Sequence, residues 1–350
     1  MSDLTSRERV ARALRGDDVD RTALMYLFLG GARHVLNTMG HSMREVHEHP
    51  ELMALAQATA ARLFGHDSAM LPFGCLTLEA EAFGCGLEII EDFYPQVVAR
   101  PLEKNRNLNL LSDPDPSTSG RMPVVIKGLS HLRERAGDDS FIVAMVVSPF
   151  LVAAELRSLS LLLVDFISDP SYVESLMKRV TEGIIRYVNA IIDTDACDAI
   201  MFENAGATRD LIGPHHVAQF VTPYHRQLLA AARQHNPEIM LIEHNCANRP
   251  YVSEIIDSDV DGVSFAYGDI TSMAKSGDDE RLPVDNRLAR IGNVDHTKLV
   301  LTGTPGEVFD AARAVIAHAQ GKPFVLSTGC EIPFKAPIEN IRALADAVRT

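Results

Sequence analysis

Short apolar runs alternate with longer stretches of helical spacing along most of this chain, and that rhythm restricts the fold more than any other feature. The runs are Ser68–Leu71, Phe141–Val147, Ala199–Phe202, Ile239–Glu243, Gly262–Phe265, Leu288–Ile291 and Phe324–Ser327. Helical spacing predicts helices over 124–135, 151–192, 216–234, 250–257, 305–319 and 337–348. Continuous apolar runs of strand length, unlike alternating ones, belong to parallel sheets covered by helices on both faces. At least six strands stand in this alternation, and eight result when Ala23–Leu29 and one further strand are added. The prediction is an α/β fold, a TIM (β/α)8 barrel spanning 1–350 as one domain. An open doubly wound sheet is the second choice. The absence of GxGxxG and GxxxxGK[ST] lowers that second choice and argues against a nucleotide cofactor.

Residues 1–66 read as an N-terminal extension with helices. Ser6–Leu14 is amphipathic and stops near Gly16-Asp17-Asp18, and Gly30-Gly31 breaks the run from Ala23. Pro50–Phe64 carries Leu52, Leu55, Ala56, Ala60 and Leu63 at helical spacing, with Pro50 suited to the first turn. Residues 72–101 predict a β-hairpin excursion outside the repeat, and 105–119 a polar loop.

A net charge of -14 without a dense basic patch argues against nucleic acid as a partner. No apolar run reaches the ~20 residues of a membrane span, and the charged Arg7-Glu8-Arg9 stands where a signal core would begin. Five cysteines in 350 residues do not make a disulfide framework. A cytoplasmic enzyme is expected.

In a TIM barrel, chemistry sits at the C-terminal ends of the strands. The polar residues there are Ser148, Glu203, Asn204, His244, Cys246, Asn293, Asp295 and Cys330. Three of these are soft metal ligands. On extended backbone His244 and Cys246 point one way, and Cys330 would join them from a neighbouring strand. One imidazole and two thiolates with an open fourth position make a catalytic zinc set. The plainer alternative is that each is a packed core residue, since free cysteine often behaves as a small hydrophobe. The separation of 84 from Cys246 to Cys330 fits a site assembled by the fold, not a zinc finger.

Glu79 and Glu81 share a face of the expected hairpin, either as substrate groups at the barrel mouth or as solvated side chains. Arg33, after Gly30-Gly31, either binds an anion or lies on the surface. Cys75 and Cys85 are read as buried thiols that could face each other, and Cys197 as structural.

At these residues the sequence resembles the uroporphyrinogen decarboxylase superfamily, and within it the methylcobamide:coenzyme M methyltransferase branch. The resemblance covers most of the chain. It is carried by Arg7-Glu8-Arg9-Val10-Ala11-Arg12-Ala13-Leu14-Arg15-Gly16 with Val19-Asp20-Arg21, by Leu76 to Cys85, and by Gly292-Asn293-Val294-Asp295. Most specific are His244-x-Cys246, Ser327-Thr328-Gly329-Cys330-Glu331-Ile332-Pro333 and Pro337-Ile338-Glu339-Asn340-Ile341. The resemblance implies that His244, Cys246 and Cys330 bind Zn2+. It also implies methyl transfer between a methyl-corrinoid, carried by a partner protein, and a small thiol such as coenzyme M. No Asp-x-His-x-x-Gly segment is present to hold the corrinoid in this chain. Glu79, Glu81, Ser148, Glu203, Asn204 and Asn293 would then be substrate-binding residues.

The chain departs from the branch's usual pattern at Ala247, at Glu331, at Lys335-Ala336 and over Ser264-Phe265-Ala266-Tyr267, which lacks the carboxylates often found there. Only Gly31-Ala32-Arg33 is similar to the Arg-Gln-Ala-Gly-Arg segment of the decarboxylases proper. Three alternatives stay open. They are methyl transfer to or from a tetrahydrofolate-type pterin, a cofactor-free decarboxylase or lyase, and a non-catalytic barrel that binds a corrinoid or tetrapyrrole partner.

Overall fold

The computed structural model describes residues 3–28, 30–73, 76–251, 259–266, 288–319 and 321–350. Ten strands are described: β1 (Ala23–Leu24), β2 (Ser68–Leu71), β3 (Gly86–Glu88), β4 (Gln96–Ala99), β5 (Phe141–Val147), β6 (Ala199–Glu203), β7 (Met240–Asn245), β8 (Gly262–Phe265), β9 (Ala289–Val294) and β10 (Phe324–Thr328). Eight of them form one parallel sheet in the order β1-β10-β9-β8-β7-β6-β5-β2. It is a nearly closed barrel with helices around it, the TIM architecture. Phe141–Val147 is buried at every position, as a strand covered on both faces must be.

Asp67, just before β2, bridges the gap to β1 with both its backbone and its side chain. The Asp67 N–H donates to the Leu24 carbonyl at 2.8 Å. The Asp67 carboxylate, 2% exposed, accepts from the Leu24 N–H at 2.9 Å. It also accepts from Arg9 at 2.8 Å, Arg21 at 2.7 Å and the Ser6 hydroxyl at 2.9 Å. Arg9 and Ser6 come from the first helix, Ser6–Arg15, which Thr5 and Glu8 begin with a capping box. Gly16 ends it at φ 79°, a left-handed position that favours glycine.

Several expectations are corrected. Among the described residues of the run expected over Ala23–Leu29, the strand is confined to Ala23–Leu24. The following Met25, Tyr26, Leu27 and Phe28 stay buried, but the backbone turns away at Phe28, where φ is 53°. No extra strand is needed to reach eight, because the seven runs with β1 suffice. The first 66 residues thus supply a barrel strand as well as helices.

The hairpin is confined to antiparallel β3 and β4. Leu78–Ala82 ahead of it is a helix. Leu78-Glu79-Ala80-Glu81-Ala82 alternates like a strand, but every residue in it is a strong helix former. Glu79 and Glu81 therefore point apart, because positions two apart on a helix do not share a face. The helices expected to fill 151–192 are three, Pro149–Arg157, Leu159–Ser168 and Pro170–Ile192, broken at Ser158 (φ 69°) and at Asp169-Pro170. The helix over 216–234 is two, Pro214–Phe220 and Thr222–His235, divided before Pro223. The polar loop over 105–119 holds one 3-10 turn at Leu108–Leu110. The helix expected over 250–257 lies outside the described residues after Tyr251. None of the described helices is long and apolar enough to cross a membrane.

Candidate metal centre

β7 and β9 run further than expected, to Asn245 and Val294. His244 therefore lies inside the ladder, and Cys246 is the first residue beyond it. Pairing sets Glu203 of β6, His244 of β7 and Ser264 of β8 side by side. All three are buried. The Ser264 hydroxyl lies 3.0 Å from His244 Nδ1, and Glu203 Oε2 lies 3.5 Å from His244 Nε2. The Phe28 ring meets the imidazole edge-on, with centroids 5.2 Å apart. Ser264 therefore fixes the ring through Nδ1 and leaves Nε2, which has no hydrogen-bond partner, facing the barrel mouth.

Cys330 does not come from a strand next to β7. It follows β10, with β8 and β9 between. The backbone crosses the mouth at Gly329, where a Cβ would lie 2.4 Å from the Ala266 carbonyl oxygen just after β8. Only glycine permits that approach, and it carries the Cys330 sulfur to the other two ligands. One ligand atom each from His244, Cys246 and Cys330 lies within 4.8 Å of the others. His244 is buried at the base, while the two cysteines are half-buried toward the mouth.

This donor set fits a tetrahedral zinc ion with one position open. Cys330 donates to Cys246, which holds the Cys246 thiol down at about 4 despite burial. The same bond, with burial, pushes Cys330 far up. Burial opposes a charge on His244, but Glu203 and Cys246 outweigh it and raise its pKa. Burial lifts Glu203 to about 8, with His244 pulling the other way.

The other candidate residues fall into different places. Ser148 donates to Asn204 Oδ1 at 3.0 Å, and Asn204 Nδ2 donates to Glu243 Oε1 at 2.9 Å. Glu243 Oε2 lies 2.7 Å from His225 in the helix layer, so Ser148 and Asn204 tie the ends of β5, β6 and β7 together. Glu81 pairs with Arg121 at 2.7 Å. Asn293 is half-buried on β9, opposite Ser327 of β10. Asp295 caps the turn after β9 through the Thr297 and Lys298 N–H groups at 2.9 and 2.8 Å. Arg33 pairs with Asp92 at 3.0 Å and lies over the Phe334 ring.

Cys85 is buried, Cys75 lies outside the described residues, and Cys197 sits before β6, at the opposite end of the strands. Sequence reasoning passed over Ser264 as the partner of His244, because the β7–β8 register is not written in either strand. It also passed over His296, half-buried at the end of β9 and within electrostatic range of Cys246. Its place directly after Gly292-Asn293-Val294-Asp295 was the available signal.

Glu79 is buried against the end of β5, where its Oε1 accepts the Val147 N–H at 2.9 Å and its Oε2 has no partner. Burial raises its pKa from 4.5 to about 7. The folded protein keeps a proton there that the unfolded chain releases above about 4.5. Stability from this group therefore falls as pH rises between about 4.5 and 7. Glu79→Gln, whose amide oxygen can still accept from Val147, removes the ionisation. It is expected to raise unfolding free energy at pH 8 by the order of 3 kcal/mol and to change little at pH 4.5. Urea unfolding at the two pH values measures this, and equal effects at both would refute it.

The Uroporphyrinogen decarboxylase (URO-D) family model matches residues 5–350. A methylcobamide:CoM methyltransferase, MtaA of Methanosarcina barkeri, is 27% identical over 99% of this chain and 98% of its own. A solved methyltransferase from Methanosarcina mazei superposes with a TM-score of 0.88 at 26% identity, covering 99% of each chain. A uroporphyrinogen decarboxylase of Prochlorococcus marinus (strain MIT 9211) is 24% identical over 96% of this chain and 94% of its own. The family match takes in the described strands and all three candidate ligands, so the chain belongs to the uroporphyrinogen decarboxylase family.

Proposed function

We propose that this protein is a zinc-dependent methyltransferase that moves a methyl group from a methyl-corrinoid, carried by a partner protein, to a small thiol. The observation that carries the reading is the convergence of His244, Cys246 and Cys330 at the barrel mouth. The similarity to methylcobamide:CoM methyltransferases supports the same chemistry. His244 Nε2 and the two sulfurs would hold Zn2+, which, with its charge balanced by two thiolates, would keep a bound thiol in its thiolate form at neutral pH.

The chain's own groups prepare that step. Ser264 orients the His244 ring, and the buried base beneath the cysteines excludes water from one side. Glu203 Oε2 stands 3.5 Å from His244 Nε2 on the buried side of the ring, and the proton that the thiol sheds on arrival passes to solvent at the barrel mouth. The methyl carbon then leaves cobalt for sulfur. The Co–C bond breaks, the S–C bond forms, and the corrinoid departs as Co(I).

Two measurements test the reading. Elemental mass spectrometry of protein purified without added metal is expected to find about one zinc per chain. Demethylation of methylcobalamin, followed by absorbance, is expected with small thiols and lost after zinc removal. Protein that neither carries nor takes up zinc overturns the proposal, and turnover of a porphyrinogen by such protein would put the decarboxylase reading in its place.

A further inference from the structure

The segment from Cys330 to Ala336 has no regular secondary structure, yet it is gripped from outside. Its partners come from two places. Arg33 and His34 follow β1, and His34 Nε2 lies 2.9 Å from the Ala336 carbonyl oxygen. The rest come from the tip of the β3–β4 hairpin. The Tyr94 hydroxyl donates to the Glu331 carboxylate in a short hydrogen bond. The Phe93 and Tyr94 rings meet Phe334 at centroid distances of 5.8 and 5.3 Å. Asp92 pairs with Arg33, which itself lies over Phe334.

The hairpin leaves the barrel between β2 and β5, whereas Glu331 follows β10. β1 stands between β2 and β10 around the barrel. The hairpin therefore crosses the weakly paired edge of the barrel and grips the loop that carries one metal ligand. Glu331 is adjacent to Cys330, and its N–H faces the Cys330 sulfur. Fixing the Glu331 side chain thus fixes the direction of that N–H and of the sulfur beside it.

We infer that Tyr94 and Glu331 are positioning residues for the metal site: the hairpin is a strap whose hydroxyl–carboxylate bond sets where the Cys330 thiolate points. The inference rests on the zinc reading above. Partners that orient a ligand change metal affinity by about 10-fold to 100-fold when removed.

The test uses the zinc-loaded protein and follows release of the metal to excess chelator. Tyr94→Phe, which keeps the ring and loses only the hydroxyl, is expected to release zinc at least about 10-fold faster. Glu331→Ala should do at least as much, and the double variant should be no worse than Glu331→Ala, because the bond lost in Tyr94→Phe is already absent there. Glu331→Gln retains an acceptor for the hydroxyl and should stay near wild type. In the cobalt-substituted protein, Tyr94→Phe should weaken the sulfur-to-cobalt absorption band, which reports the sulfur's own bond to the metal, and Glu331→Gln should retain it. Wild-type release rates and an unchanged band in Tyr94→Phe and Glu331→Ala would overturn the strap. Wild-type protein that holds no zinc would fail the zinc reading itself and take the strap with it. The two failures differ, because one is seen in the wild type and the other only in the variants.

Discussion

Cys330→Ser is expected to lower zinc affinity by more than about 100-fold, beyond the cost of losing an outer partner, and to abolish thiol-dependent demethylation of methylcobalamin. The hydroxyl is a hard, neutral donor where a thiolate would stand. Cys246→Ser and His244→Ala should be similarly severe, and combining any two should add little. Cys197→Ser is the control, since that thiol lies at the far end of β6. Elemental analysis, chelator competition and the demethylation assay read the outcome. A Cys330→Ser protein with full zinc and full activity would remove Cys330 from the site.

The largest expected effect on folding lies at the other end of the strands. Asp67→Ala is expected to cost about 3–5 kcal/mol, the range for breaking a buried ion pair. The carboxylate is 2% exposed and serves two guanidinium groups, one hydroxyl and the Leu24 N–H. Its removal leaves Arg9, itself buried, with Asp20 as its remaining carboxylate partner, 2.7 Å away. It also removes the side-chain bond between the edges of β1 and β2. Denaturant unfolding at neutral pH measures the loss. A change below about 1 kcal/mol, the worth of an exposed pair, would mean that packing and the backbone bond from residue 67 to Leu24 suffice to close the barrel.

The barrel was legible because its strands are apolar throughout. Phe141–Val147 can be little else than a covered strand. The ligands were legible because they follow such runs, so listing strand ends was enough to bring out His244, Cys246 and Cys330. What stayed hidden depends on relations between distant segments. Ser264 becomes the partner of His244 only through a register that neither strand specifies alone. Tyr94 and Glu331 lie 237 positions apart, and nothing local to either points to the other. Leu78–Ala82 was misread for a different reason. Five residues are too few to separate a period of two from helical spacing, so helix propensity and packing decided. The short β1 shows tertiary structure overriding an apolar run, because Phe28 turns to meet the His244 ring.

The pairing of β1 with β10 sets Ala23 against Val325, nearly the whole length of the chain apart. Contacts of such long range form late, after the cost of closing the intervening loop has been met. During synthesis, β7 with His244 and Cys246 exists long before β10 emerges. A growing chain thus carries two donors and no third, on a sheet whose edges are still open. Cys330 arrives with the strand that closes the ring. Full metal capture is thereby tied to the last stage of assembly, and a truncated chain that lacks β10 cannot offer the complete ligand set.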